Sequence, residues 1–131
     1  MLKKYVFMIL TILSVILLTG CKQETKNNNS REIIAYNLEK IQMTGPKTSS
    51  NPYDYTDNEY YDNIVNIGDE AVPILETMYK EKEVTGLSAY VSALAIQDIT
   101  DCNLYEEYNL EWTTADEFYV LWEENNCSYN Q

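Results

Sequence analysis

Hydrophobic spacing changes several times along the chain, and each change marks an element. Tyr5 to Leu18 is a nearly unbroken apolar run of 14 residues behind Lys3 and Lys4. A helix spanning the roughly 30 Å hydrocarbon core needs about 20 apolar residues. The run therefore has the length and the positive flank of a signal-peptide h-region. Residues 22–30 contain no apolar side chain and end in an asparagine run, the composition of a solvated tether. From Ser30, a candidate N-cap, Ile34, Leu38 and Ile41 recur at helical spacing with Ile33 beside them, and Gly45-Pro46 predicts the stop.

The tyrosine-rich stretch 48–61 is expected to form an ordered loop turned at Asn51-Pro52. Tyr60, Tyr61, Ile64, Val65 and Ile67 predict a short helix ended by Gly68 in the left-handed conformation. Asp69 is expected to cap the next helix, which carries Pro73 in its first turn, where a missing N–H costs nothing. There Val72, Leu75 and Tyr79 should face inward, flanked by Ile74 and Met78. Another helix is predicted over 87–100. Its positions Leu87, Val91, Leu94 and Ala95, with Tyr90 and Ile99, are rich in small and branched residues, which makes it the central one. The acidic, aromatic segment 101–112 reads as a loop. Thr114-Ala115-Asp116-Glu117 is a capping box, and it launches a last helix with Phe118, Leu121 and Trp122 inward. The pattern thus predicts a leader (1–20), a short tether (21–29) and an all-α domain of four to five helices (30–131).

The leader closes on Leu18-Thr19-Gly20-Cys21. These four residues resemble the lipobox of bacterial lipoproteins: leucine, a small or hydroxyl residue, Gly or Ala, then Cys. The resemblance implies that the Cys21 thiol receives a diacylglyceryl group and that cleavage leaves Cys21 as the first mature residue. One acyl chain anchors only marginally, whereas two anchor stably. The expected address is therefore the outer face of the cytoplasmic membrane. Lys22, in place of the Asp that retains lipoproteins at an inner membrane, and the wealth of Asn, Ile, Tyr and Lys point to a Gram-positive source. Further along, Ile64-Val65-Asn66-Ile67-Gly68-Asp69-Glu70-Ala71-Val72-Pro73-Ile74-Leu75 is similar to the helix–turn–helix junction of HEAT-like repeats. From Ser30 to Asn125 the chain looks like small Firmicutes lipoproteins. HEAT arrays need several stacked units, and at most one and a half are visible. The resemblance therefore implies a compact, partly HEAT-like domain rather than a solenoid.

Removing residues 1–20 leaves seven bases against 21 acids, a net charge of −14 where the whole chain has −12. That balance excludes nucleic acid as a partner, since its recognition needs basic surface. It also opposes lying flat on anionic lipid. It favours cationic partners, and it serves solubility as well.

The chain has no histidine. This removes imidazole acid–base chemistry, Ser-His-Asp and Cys-His arrangements, and His-containing zinc sites. No phosphate-cradling glycine motif occurs. No catalytic residue and no cofactor is expected; paired carboxylates for a glycan hydrolase are the enzymatic alternative. Asp54, Asp57, Glu59 and Asp62 offer hard oxygen ligands, but an EF-hand loop starting at Asp54 needs glycine where Glu59 stands, so no metal site is expected.

Outside the membrane, Cys102 and Cys127 can pair as a disulfide or stand as two thiols. A bond across this loop contributes on the order of 3 kcal/mol through the unfolded state. Tyr53, Tyr55, Tyr105, Tyr108 and Trp112 lie among carboxylates. They are candidates for partner binding through stacking and cation–π contact, or else caps on a small core. The expected function is a non-enzymatic, membrane-anchored binding module for a peptide or protein partner, cationic in its specific form. The alternatives are a two-carboxylate hydrolase of wall glycan and a structural surface protein without a ligand.

Overall fold

The structure, a computed structural model, describes residues 26–125; the lipobox Leu18–Cys21 and Cys127 lie outside them. All regular structure among the described residues is helical. Helix α1 covers 26–44, followed by a 3-10 turn Pro52–Tyr55, α2 Glu59–Val65, a second 3-10 turn Gly68–Glu70, and α3 Ala71–Lys80. Then come α4 Gly86–Thr100, α5 Leu104–Tyr108 and α6 Ala115–Asn125. The all-α expectation holds, with six helices where four to five were predicted.

Helix α4 is the axis. Ser88, Ala89 and every residue from Val91 to Ile96 are buried. Six consecutive buried positions exceed one full turn, so the helix is covered on all sides. Helices α2, α3 and α6 and both 3-10 turns pack on it. Alanine and serine side chains permit that close approach, and the serines bring no unpaired hydroxyl. Ser92 Oγ donates to the Ser88 carbonyl at 2.7 Å, and Ser88 Oγ donates to the Thr85 carbonyl at 2.9 Å. Leu87, Tyr90 and Ile99, expected inward, are only half-buried. Asp101 ends the helix in the left-handed region at φ 52°, a conformation that Asp and Asn tolerate.

Helix α1 buries Ile34, Leu38 and Ile41 as predicted, but it begins before Ser30. Ser30 is therefore not an N-cap. It is buried within the helix, and its Oγ donates to Glu70 Oε1 at 2.7 Å. Lys26 pairs with the same carboxylate. The second 3-10 turn thus supplies a long-range partner that local composition could not reveal, and residues 26–29 are helical rather than tether. Ile33 is 39% exposed, on a different face from the core stripe. The opening of the Tyr-rich segment is fastened at Gly45, where an added Cβ would lie 2.4 Å from Tyr55 Cδ1.

The α2–α3 junction follows the sequence with one correction. Gly68 has φ 73°, as expected of a helix stop. Asp69, however, lies inside a 3-10 turn, and Glu70 occupies the cap position of α3 without a side-chain hydrogen bond. No side-chain cap is needed at the joint, because the Ala71 N–H already reaches the Gly68 and Asp69 carbonyls. Pro73 sits in the first turn of α3.

Segment 101–112 is not all loop. Asn103 Oδ1 accepts from the Tyr105 and Glu106 N–H groups at 3.0 and 3.4 Å, capping α5, and Leu104 is fully buried. The α6 capping box forms as predicted. Glu117 Oε2 accepts from the Thr113 and Thr114 N–H groups at 2.7 and 3.1 Å, and the Glu117 N–H returns to Thr114 Oγ1 at 3.2 Å. The Thr113 backbone bond, first among these contacts, holds the Glu117 carboxyl below its ordinary range. Phe118, Tyr119 and Trp122 are buried, while Leu121 is half-buried. They form an aromatic seam in which Phe118 touches the rings of Trp112, Tyr119 and Trp122 at centroid distances of 4.9–5.5 Å. Trp122 Nε1 donates to Glu76 Oε1 at 2.8 Å. No helix among the described residues is long and apolar enough to cross a membrane.

Candidate functional site

The C-terminal end of α4 opens into a cleft of about 390 Å³. Four elements build it. The first 3-10 turn supplies Tyr53; α2 supplies Tyr61; α4, its C-cap and α5 supply Asp98, Asp101, Glu106 and Glu107. None of the residues lining it is basic. Each carboxylate is placed by a local rule. Asp98 is on the last turn of α4, and its Oδ2 accepts from the Tyr61 hydroxyl at 2.6 Å. Asp101 is held by its left-handed backbone. Glu106 and Glu107 occupy the first turn of α5, where a carboxylate suits the exposed N–H groups. Gln97 fixes α5 to α4, its Oε1 accepting from the Leu104 N–H at 3.2 Å. Burial, reinforced by the Asp98 bond, raises the Tyr61 hydroxyl well above the ordinary tyrosine range, so it remains a neutral donor. Among the described residues no cluster of Cys, Asp or Glu is arranged to hold a metal ion.

The structure does not gather the five aromatic candidates into one site. Tyr53 is 58% exposed and lines the acidic cleft. Tyr105 is 55% exposed on α5 but does not line it. Tyr55 is a core residue, 8% exposed, with its hydroxyl donating to the Pro46 and Ser49 carbonyls at 2.8 and 3.3 Å. Its ring and its polar tip are both committed to the fold, which corrects its assignment to partner binding. Tyr108 and Trp112 are half-buried against the core, Trp112 lying 4.5 Å from the Tyr90 ring.

The carboxylates were the residues that sequence reading missed. A signal for two of them existed: Asn103 followed three residues later by Glu106 has the spacing of a helix start. Cys102, buried between α4 and α5, is disulfide-bonded, with its partner sulfur outside the described residues.

A larger cavity of about 700 Å³ lies where the N-termini of α4 and α6 approach the end of α3. Its lining charges are largely spent on the fold. Lys80 pairs with Glu123 at 2.6 Å, and Asp116 Oδ1 accepts from the Tyr79 hydroxyl at 2.5 Å, leaving Lys82 at the wall. The smaller cleft carries the uncompensated charge, and for that reason it is the better candidate.

No protein-family model matches the chain, and no curated protein or solved structure matches it either.

Proposed function

We propose that the chain is a lipid-anchored protein of the outer face of the cytoplasmic membrane, and that its helical domain binds a cationic peptide or protein segment without catalysing a reaction. The address rests on Leu18-Thr19-Gly20-Cys21 and the h-region before it. The binding role rests on one observation: four carboxylates and an exposed tyrosine line one cleft that no lysine or arginine enters.

A volume of about 390 Å³ lies at the small end of the usual ligand-pocket range of about 300–1,000 Å³. It suits one or two long basic side chains rather than a folded partner. A guanidinium or ammonium entering it meets Asp98, Asp101, Glu106 and Glu107 within short range, and the face of Tyr53 offers cation–π attraction. Beyond the cleft, the net charge steers the approach, but only over about 8 Å at physiological salt. Affinity should therefore fall steeply as salt rises.

Titration of an arginine-rich peptide into the mature protein, at low and at high salt, tests this reading. Glu106→Gln and Glu107→Gln together should weaken binding about two- to fivefold per charge removed, the scale of exposed ion pairs. Affinity that ignores both salt and these substitutions refutes the cleft as the binding site.

A further inference from the structure

Helix α1 carries a second stripe that the fold does not use. Ile33, Tyr36, Lys40 and Met43 follow one another at intervals of three, four and three residues, the spacing of one helix face. Ile33 is 39% exposed, Tyr36 54% and Met43 59%, although all three are large apolar or amphipathic side chains. Lys40 lies with its ammonium 5.3 Å from the Tyr36 ring centroid. An apolar row with a lysine that keeps its charge in water is the pattern of a helix lying in a membrane interface.

The charge of the molecule is divided in the same sense. Residues 22–47 carry five bases against three acids, a net of +2, whereas residues 48–131 carry two bases against eighteen acids, a net of −16. The whole-chain charge that opposes contact with anionic lipid therefore belongs almost entirely to the part beyond α1. Two of the five bases are neutralised by the fold, Lys26 pairing with Glu70 and Arg31 with Glu81 and, at 2.6 Å, with Glu83. Lys22, Lys40 and Lys47 then balance Glu24, Glu32 and Glu39, so this part is close to neutral against a strongly acidic remainder. Among the described residues Lys40 and Lys47 form no ion pair, and neither do the exposed Glu32 and Glu39 on the same helix.

Position completes the case. Four residues separate Cys21 from Lys26, so the start of α1 lies no further than about 17 Å from the anchor even if the chain between is fully extended. An anchored domain cannot leave the surface, so electrostatics selects its orientation rather than its attachment.

We propose that the Ile33–Tyr36–Lys40–Met43 face of α1 rests on the lipid surface to which Cys21 is attached, turning the acidic remainder of the domain toward solvent. This rests on the lipid-anchor reading of Cys21. Its occupant is the anionic bilayer surface itself, not a second protein.

The test uses the full lipoprotein purified from membranes and reconstituted into phosphatidylglycerol–phosphatidylcholine vesicles. Intact mass first reports whether Cys21 carries a diacylglyceryl group; its absence overturns the anchor reading, and the present inference with it. With the lipid present, hydroxyl-radical footprinting compares Tyr36 and Met43 with Tyr53 and Tyr105. Those two tyrosines are 58% and 55% exposed and serve as matched controls for Tyr36. Seating at the headgroup boundary should slow modification of Tyr36 and Met43 about threefold or more relative to the controls. Equal rates at all four residues overturn the inference while leaving the anchor intact. Protection that rises with protein density and persists on vesicles of phosphatidylcholine alone overturns it too, by assigning the face to a second copy of the chain.

Discussion

Gly45→Ala should destabilise the domain although it adds one methyl group at a half-buried position. The new Cβ would sit 2.4 and 2.5 Å from Tyr55 Cδ1 and Cε1, and 2.8 Å from the Ile41 carbonyl oxygen. The ring cannot swing aside freely. It is buried, and its hydroxyl is held by the Pro46 and Ser49 carbonyls. Overpacking of this kind costs about 1–3 kcal/mol, which lowers the melting temperature of a domain of this size by roughly 4 °C or more. Urea unfolding should show a lower midpoint at unchanged slope, the mark of a stability change without a change in the unfolded state. Tyr55→Ala is costly by itself, but it removes the ring. In that background the cost of Gly45→Ala should drop by roughly half or more, a coupling within the range of about 0.5–3 kcal/mol seen for contacting residues. The contact with the Ile41 carbonyl accounts for what remains. A Gly45→Ala midpoint equal to wild type, or strictly additive costs in the double variant, would refute the placement of Tyr55 under this glycine.

Three further outcomes are expected. Tyr119 is 4% exposed and its hydroxyl has no hydrogen-bond partner among the described residues, so Tyr119→Phe should be neutral or stabilising by about 1 kcal/mol; a clear loss of stability in urea would contradict this. The Asp116 bond, with burial second, pushes the Tyr79 hydroxyl up to about 12 from an ordinary value of 10.0. Because the folded value is the higher one, Tyr79 contributes its full share below pH 10 and loses it as pH rises toward 12; Tyr79→Phe should flatten that part of the decline, as followed by circular dichroism. Finally, if Cys21 is lipidated as proposed, Cys127→Ser should leave one alkylatable thiol at Cys102 in the unreduced protein and lower stability by on the order of 3 kcal/mol. An unchanged urea midpoint would show that Cys127 is not the partner of Cys102.

What could be read from the sequence depended on how far the controlling interaction reaches. The α6 capping box, the Gly68 stop and Pro73 are local devices, contained within a few residues, and all three stand where the pattern put them. The central role of α4 was legible in its small residues, although Ser88, Ala89, Ser92, Ala93 and Ile96 had to be added to its buried set. Ser30 failed for the opposite reason. Its partner Glu70 lies 40 residues away, so capping preference was the only signal at hand, and it was overruled. Helix α5 escaped because five residues present a single inward position, Leu104, and one position has no period. The acidic cleft was invisible because Tyr53 and Asp98 meet only after the first 3-10 turn and α2 have packed on α4. The aromatic candidates were misgrouped likewise, since Tyr53 and Tyr55, two residues apart, differ sevenfold in exposure.

The enclosure of α4 bears on how long the domain withstands proteases. Every neighbour that closes on α4 covers part of the same alanine- and serine-rich surface, so lifting any one of them exposes apolar side chains that the others cannot cover. Partial opening is then nearly as costly as complete unfolding, and few excursions present a cleavable strand. Lifetime under protease should follow the global opening equilibrium rather than local fraying.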